Sequence, residues 1–494
     1  MIVKPNPSRM ISIKTYTKIF FASFALITVA SCTDPWDDHG KTSDQNLDQN
    51  LSERIQSTSQ TTEFGKLLEE TGFDGVLSNS KTYTVWAPTN DAIGQVDPSL
   101  LSDLAKKRLF VQNHIALTAF SSVTEQDTVT VQMLSNKYLE FRNGTMIEDA
   151  TVVSADQYAS NGLFHIIGKA LEPRLNIWQY VKSKAGSNTM SSYLSSLNSF
   201  DIYRSDSIAK ANEPEIHKLY ADSLRNSYLT NVYNLNNEKN KYTLFLLENN
   251  GFNSEVDNLE PYLIKGTADS TRTYASYFTV RDMAFHKAVA RENLSTTQFV
   301  SRFGVEVPID EDNIVEEVLL SNGIVYIMSA LEVPLENRLL TTQIEGEKPN
   351  GFSQNDKRSN TFYREKEDPD GILFYDIMVQ NHGVPQFAIN YSANNMYSTT
   401  YQAYWRAIND IQGNTFMQTL RVGGTVDVDG MVIDPIAELE YEVGLNVYDE
   451  VLIGEFTLDE AGRLDLISLV AANTGVNGNN TLTLDYLKLV PVIK

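Results

Sequence analysis

In this chain of 494 residues, Ser160-Asn161-Gly162-Leu163-Phe164-His165-Ile166-Ile167 returns as Ser321-Asn322-Gly323-Ile324-Val325-Tyr326-Ile327-Met328. Likewise Tyr83-Thr84-Val85-Trp86 returns as Tyr242-Thr243-Leu244-Phe245. The spacing is nearly kept, with 78 residues from Tyr83 to Asn161 and 80 from Tyr242 to Asn322. Two motifs repeated in one order at one spacing mean that a single folding unit is built twice. Around the first copy, Phe64-Gly65-Lys66-Leu67-Leu68-Glu69-Glu70-Thr71-Gly72 has apolar residues at helical spacing and a Gly where the helix should stop. Lys81 to Pro88 reads as a buried strand, and Thr89-Asn90-Asp91 as the cap of a following helix.

These residues carry a family resemblance. Tyr83-Thr84-Val85-Trp86-Ala87-Pro88-Thr89-Asn90-Asp91-Ala92-Ile93 resembles the first signature of fasciclin domains, and Asn161-Gly162-Leu163-Phe164-His165-Ile166-Ile167-Gly168-Lys169-Ala170-Leu171 resembles the second. Between them, Phe110-Val111-Gln112-Asn113-His114-Ile115 stands where the family has a central Tyr-His segment, with Asn113 in place of the Tyr. The resemblance implies an α+β module over residues 59 to 175, used for adhesion or protein contact. It makes Asn113 and His114 the candidate adhesion segment, with helix packing as the competing role for His114. Residues 176 to 341 resemble a degenerate second module. There Leu246-Leu247-Glu248-Asn249-Asn250 replaces the Ala-Pro-Thr-Asn-Asp run, and His286 is matched to His114. A polar insertion at about 204 to 240 offers a place for a partner contact.

Residues 342 to 370 are hydrophilic and charged and read as a linker. From 371 to 494 the pattern changes to short strands at 371 to 379, 384 to 391, 415 to 428, 430 to 442, 450 to 457, 464 to 471 and 481 to 492. Turn signals such as Asp429-Gly430 and Asn477-Gly478-Asn479-Asn480 separate them, which predicts an all-β sandwich. The ending Leu482 to Pro491 resembles the last strand of jelly-roll, galactose-binding-like domains of the carbohydrate-binding type. Tyr397, Tyr401, Tyr404 and Trp405, with Tyr391 ahead of them, form a candidate ligand platform, because aromatic faces stack on the apolar faces of sugar rings. Trp405 serves equally as a core anchor, which leaves Tyr397 and Tyr401 as the better surface candidates. Asp427 to Asp434 invites a calcium reading, yet Asp-Gly between β-branched runs is a hairpin signal and the spacing misses the EF-hand loop.

The N-terminus reads as an export signal. Residues 1 to 31 carry Lys4, Arg9, Lys14 and Lys18 with no acid, then an apolar run from Ile19 to Val29 too short to span a bilayer. Val29-Ala30-Ser31-Cys32 resembles the bacterial lipobox, so Cys32 is the expected site of lipidation and palmitate attachment. Residues 32 to 58 read as a flexible acidic tether. Within it, Thr33-Asp34-Pro35-Trp36-Asp37-Asp38 resembles the surface-export signal of lipoproteins in the Bacteroidetes lineage. The expected location is the outer membrane, lipid-anchored and facing the exterior. Cys32 is the only cysteine, so disulfides, thiolate metal sites and a catalytic thiol have no residues to use in the mature protein.

The whole chain stands at −23, and without the four basic signal residues at 36 Lys+Arg against 63 Asp+Glu, or −27. Such a field disfavours nucleic acid and anionic membranes as partners. The six histidines are His39, His114, His165, His217, His286 and His382, and no two stand at metal-ligand spacing. His165, inside an apolar run, reads as a satisfied core histidine rather than a ligand. No nucleophile elbow, Walker loop, zinc-protease helix or dinucleotide fingerprint occurs, and no cofactor is expected. The expectation is a non-enzymatic surface lipoprotein that binds a ligand or partner. By analogy with such lipoproteins, it is an accessory of a SusC/SusD-like outer-membrane system taking up glycan or peptide. The alternatives are an adhesive or structural envelope protein and, more remotely, a glycan-active enzyme.

Overall fold

The computed structural model describes residues 45–79, 81–123, 126–198, 226–354, 359–428, 430–472 and 480–494. The signal peptide, Cys32 and the acidic run behind it lie outside the described residues, as does the part of the expected insertion up to residue 225. The chain divides into two compact units, one ending at Pro173 and one running from Arg174 to Lys494.

The first unit is built on β1 (Tyr83–Pro88), every residue of which is buried. The further strands are β2 (Ile115–Ala116), β3 (Thr128–Gln132), β4 (Tyr138–Arg142), β5 (Met146–Ile147), β6 (Ala150–Ala159) and β7 (Gly162–Ile167). Among the described residues they run in the order β2-β1-β7-β6-β5-β4-β3. The β1–β7 pair is parallel, from Tyr83↔Gly162 to Pro88↔Ile167. Both strands are therefore mostly apolar, since each has a covered face on either side, and their polar members Thr84 and His165 are hydrogen-bonded to backbone groups. The helix Thr62–Thr71 lays Phe64, Leu67 and Leu68 into this core and stops at Gly72, whose φ of 78° a side chain resists.

The expected tether is shorter than the sequence suggests, because a helix at Leu51–Ser57 is already part of the core. Asn50 closes its N-terminus in a reciprocal capping box with Glu53, and Leu51 and Ile55 are fully buried. Only those two apolar positions, one turn apart, mark this helix in an otherwise polar stretch.

The second copy opens the second unit with β8 (Tyr242–Leu247), β9 (Ala284–His286), β10 (Ile314–Leu320) and β11 (Gly323–Met328), ordered β10-β11-β8-β9. The repeat is exact at the level of individual hydrogen bonds. Asn161 accepts from Leu51 N–H and donates to Leu77 and Asn79 carbonyls; Asn322 accepts from Ile177 N–H and donates to Leu235 and Asn237 carbonyls. Thr84 donates to the Thr118 carbonyl and accepts from Phe120 N–H, as Thr243 does with Lys287 and Val289. Gly162 and Gly323 adopt φ of 148° and 144°, and a Cβ there would fall 2.1 and 1.9 Å from the carbonyl oxygens of Tyr83 and Tyr242. The recurring Asn-Gly is thus a structural requirement of the strand crossing.

This register corrects the matching of His286 to His114. Trp86 N–H donates to the His114 carbonyl and Phe245 N–H to the Met283 carbonyl, so Met283 is the counterpart of His114. Asp282 is then the counterpart of Asn113, and each accepts from a serine hydroxyl, Ser301 and Ser135 respectively. Part of the expected insertion is core as well: Tyr228, Leu229, Val232 and Leu235 are buried in the second copy.

The remaining strands make the β-rich end: β12 (Thr342–Glu345), β13 (Gly351–Phe352), β14 (Thr361–Glu367), β15 (Leu373–Val379), β16 (Ala388–Met396), β17 (Thr400–Arg406), β18 (Phe416–Val422), β19 (Thr425–Val426), β20 (Val432–Ile433), β21 (Ala437–Val443), β22 (Val451–Thr457), β23 (Gly462–Ala471), β24 (Leu482–Leu484) and β25 (Tyr486–Pro491). The two larger sheets run β12-β25-β17-β22 and β13-β16-β23-β18-β21, with β14-β15-β24 as a third. The stretch 342 to 370 is therefore no linker, since it supplies β12, β13 and β14. Its charges belong to an edge strand: on β14, Arg364 forks onto Asp376 and reaches Asp410 at 3.3 Å, and Lys366 pairs with Asp410. The Asp427–Gly430 stretch is a turn, with Gly430 N–H on the Asp427 carbonyl and the Asp427 carboxylate on Met431 N–H.

One apolar core runs through the second copy and the β-rich end. Ser398 N–H donates to the Tyr262 carbonyl, Ile264 N–H to Ser398 Oγ and Ala461 N–H to the Ile264 carbonyl. Beneath this seam Arg338 is buried with Glu255 at 2.7 Å and Asp282 at 3.1 Å. Burial pushes the Glu255 carboxyl up from its ordinary value, while Arg338 beside it pulls the other way. Among the described residues no helix is long and apolar enough to cross a membrane.

Candidate functional site

Among the described residues, three histidines, His114, His165 and His382, are spent on the fold. His114 is fully buried; Nδ1 donates to the Phe110 carbonyl at 2.8 Å and Nε2 accepts from Leu171 N–H at 2.9 Å. Burial holds its pKa down at about 4, against a smaller opposing effect of the Phe110 carbonyl. Asn113 beside it is equally buried, donating to the Leu171 carbonyl and accepting from Ser135. The candidate adhesion segment therefore has no surface to offer, because both side chains tie the central helix end to the strand exit at Leu171.

His165 stacks on Trp86 at 5.7 Å, donates from Nε2 to the Phe120 carbonyl and accepts at Nδ1 from Asp156 N–H. Burial lowers its pKa too. The Ser122 backbone N–H and hydroxyl both donate to the Asp156 carboxylate, and both ring nitrogens of His165 are taken by backbone groups. In the second copy Tyr326 takes the His165 position, stacked on Phe245 at 5.8 Å with its hydroxyl on the Val289 carbonyl. His382 donates from Nε2 to the Asn480 carbonyl and accepts at Nδ1 from Val384 N–H.

The expected aromatic platform is also core. Tyr401 is fully buried, its ring stacked on Phe456 at 5.4 Å and its hydroxyl taking Tyr397 N–H. Tyr397 donates to the Arg338 carbonyl, accepts from Leu340 N–H and meets Phe278 edge-on. Trp405 meets Tyr441 edge-on at 6.0 Å, and Tyr404 is half-buried with Lys488 Nζ over its ring at 5.5 Å. The reason is that β17 is a strand between β22 and β25, which turns Tyr401, Ala403 and Trp405 inward together. Tyr391 is buried as well, donating to the Gly346 carbonyl.

Exposed aromatics stand instead on the hairpin of β14 and β15. Tyr363 is 59% exposed and Tyr375 48%. The register Tyr363↔Ile377 and Glu365↔Tyr375 puts both rings on one face, with Glu365 between them along the ladder. The Glu365 carboxylate pushes the Tyr375 hydroxyl above its ordinary pKa. The opposite face carries Arg364, Lys366 and Phe374, anchored through Asp376, Asp410 and Arg406, so the hairpin is held from behind.

Tyr363 also walls an open cleft of about 470 Å³ with Glu347, Lys348, Pro349, Asn350, Gly351, Phe352 and Thr361. Phe352 is stacked on Phe387 at 6.1 Å, and Asn350 donates to Ser392 Oγ. Glu347 has one carboxylate oxygen 3.7 Å from Lys348 Nζ; its other oxygen, Oε2, is buried without a hydrogen-bond partner. That oxygen is shielded from the cleft by protein, so what the cleft presents is the exposed aromatic face of Tyr363, which suits stacking on a ligand ring. The signal lay in the period of two along Tyr363, Glu365 and Glu367, hidden by a run of five charged residues, Arg364 to Asp368.

The fasciclin domain family matches residues 59–173. Residues 59–173 are a fasciclin domain. Over 105 residues the chain is 30% identical to Protein sll1483 of Synechocystis sp., which covers 20% of this chain and 58% of that protein. The chain thus spans little more than half the length of the curated relative it matches. Among solved structures it is similar to a fasciclin domain pair from the insect cell adhesion molecule Fasciclin I, at 18% identity over 56% of this chain and 98% of that one, with a TM-score of 0.23. It is also similar to a family 35 carbohydrate-binding module from Clostridium thermocellum, at 13% identity over 31% of this chain and 99% of that one, TM-score 0.21. The C-terminal family 6 module of a Zobellia galactanivorans laminarinase matches at 13% identity, over 31% and 99%, with a TM-score of 0.20.

Proposed function

We propose that this is a non-enzymatic lipoprotein, anchored through Cys32 in the outer membrane and facing outward, which captures a ligand in its β-rich end for a SusC/SusD-like uptake system. The observation that carries the binding part is the open cleft walled by the exposed ring of Tyr363. The non-enzymatic part rests on His114, His165 and His382, whose ring nitrogens are engaged by backbone groups and are not poised for proton transfer. The anchor and the outward direction rest on the sequence of residues 1 to 38.

Membrane fractionation tests the anchor: the native chain partitions with outer membranes and Cys32→Ser is released. Affinity purification of the full chain from detergent-solubilised outer membranes tests the role. Recovery of a TonB-dependent transporter supports uptake, and its absence counts against it. The fasciclin domain favours a second reading, adhesion to a neighbouring cell or matrix, which predicts loss of cell aggregation on deletion with growth on polymeric nutrients unchanged.

A further inference from the structure

We infer that the open edge of β10 in the second copy is a docking site for a basic, extended segment of another protein, which joins the sheet as one more antiparallel strand. Among the described residues β10 ends the sheet β10-β11-β8-β9, and no backbone group from Val315 to Leu320 bonds to anything but β11. Such a row of unpaired N–H and C=O groups is a template for a strand. The first copy shows that a strand fits there. Its β6 takes the place of β10: Tyr158↔Leu163 flanking the first Asn-Gly turn matches Leu319↔Ile324 flanking the second, and Val153 and Val315 are each the extra residue of a bulge. In that copy β5 pairs antiparallel with the start of β6 at Ala150 and Thr151, and Val152 N–H donates to the Thr145 carbonyl. In the second copy no described strand pairs with the outer side of β10, and the described chain between β9 and β10 forms only short 3-10 helices and an isolated bridge.

The side chains set the chemistry of the partner. Val315 and Leu319 are 57% and 54% exposed, and an added strand would cover them. Glu316 and Glu317 between them are exposed too, and neither they nor Glu292, Glu311 and Asp312 form an ion pair among the described residues. Burial, and then Glu317 and Glu292, with Glu311 adding and Arg291 opposing, push the Tyr326 hydroxyl above its ordinary pKa, so these carboxylates gather in one place. Of the cations nearby, Lys184 lies over the Tyr180 ring at 5.3 Å and Lys241 is spent on the Ser321 carbonyl. Successive residues of a strand point to opposite faces, so Glu316 and Glu317 call for one cation on each face, with apolar or β-branched residues beside Val315 and Leu319. A second copy of this chain does not fit, because β10 paired with itself sets these glutamates against one another across the ladder, which is destabilising. The same charges that keep two such edges apart admit a strand bearing Lys or Arg.

The test is fluorescence anisotropy of the full chain with a labelled peptide carrying a central Lys-Lys pair between Val and Thr residues. It is compared with its Glu-Glu counterpart and with the Lys-Lys peptide N-methylated at its central amides. Only the first is expected to bind saturably, and hydrogen exchange should show the amides from Val315 to Leu320 slowed by it. Reversing both charges, Glu316→Lys with Glu317→Lys, should weaken binding of the Lys-Lys peptide at least about tenfold and admit the Glu-Glu peptide. Two reversals leave the mature chain strongly anionic, so a general attraction to cations would survive them. Glu316→Gln with Glu317→Gln should weaken binding severalfold, and Tyr158→Ala on the matching strand of the first copy should change nothing. Both glutamates are exposed, and thermal unfolding confirms that each variant keeps its fold. No saturable binding, equal binding of the N-methylated peptide, protection that misses β10, unchanged affinity in the folded charge-reversed chain, or a dimer of this chain through β10 overturns the inference.

Discussion

Acid should loosen the fasciclin domain through His114, and by a predictable amount. The ring is fully buried, packed between Phe64 at 5.2 Å and Phe110 at 4.6 Å, and its Nε2 must stay unprotonated to accept Leu171 N–H. In the unfolded chain the same imidazole takes a proton near pH 6.5, whereas in the fold it resists until about 4. Because the folded-state value is depressed, the unfolded state binds more protons between those limits. Stability is therefore whole above about pH 6.5, falls as pH drops toward 4, and loses nothing more from this group below that. At about 1.4 kcal/mol per pH unit, the gap amounts to about 3 kcal/mol. His165 shifts in the same direction and adds to the loss. Urea unfolding of the full chain near pH 7 and near pH 4.5, read by proteolysis of the 60 to 173 segment, measures it. His114→Leu separates the contribution: it should be less stable than the native chain near pH 7, with a shallower decline on acidification. Parallel declines in the two proteins, or a resonance assigned to the His114 ring, by its loss in His114→Leu, that titrates near 6.5 in the folded state, would refute the reasoning.

The buried ion cluster of the second unit gives a sharper test of what holds it together. Arg338→Met strips Glu255 and Asp282 of their shared cation and should destabilise residues 174 to 494 by roughly 3–5 kcal/mol, seen as a lowered urea midpoint. Asn322→Ala removes an acceptor for Ile177 N–H and donors for two carbonyls, and should cost about 2–4 kcal/mol in the second unit. Asn161→Ala should do the same to the first unit, and limited proteolysis shows which of the two has loosened. Tyr401→Ala should lower the melting temperature through a loss of about 3–5 kcal/mol, while any retardation by polysaccharide in affinity gels, per folded molecule, stays unchanged. A specific loss of sugar binding at full stability would restore Tyr401 to a platform role.

Much of the first unit was legible because its signals are local. Trp86, Phe164 and Ile167 occupy mostly apolar runs, and a run buried on both faces reads the same from sequence as from the sheet. The Asn-Gly pairs were legible as markers of a repeat, and the structure supplied the cause: a glycine φ and a carbonyl within about 2 Å of where a Cβ would stand. By contrast, the helix Leu51–Ser57 has too few apolar positions to announce itself, and it owes its place to Asn161, 110 residues away. His286 was matched by its neighbours in sequence, whereas hydrogen bonding to Phe245 assigns the role to Met283.

At the candidate site the division is plainest. Sequence alone determined that the chain has one cysteine, an anionic surface, a doubled unit and a β-rich end, because composition, spacing and period two are properties of the chain itself. It also placed Tyr391, Tyr397, Tyr401 and Trp405 together, but their exposure depends on which strands flank β17. The tertiary structure put β22 and β25 on either side of β17, which buried Tyr401 and Trp405, and it buried Tyr391 on β16, between β13 and β23, and Tyr397 between the two strands. It left Tyr363 in water because β14 is an edge whose charges are drawn behind it to Asp376 and Asp410. Which aromatic faces a ligand is decided by pairing partners far along the chain, and no local pattern carries that information.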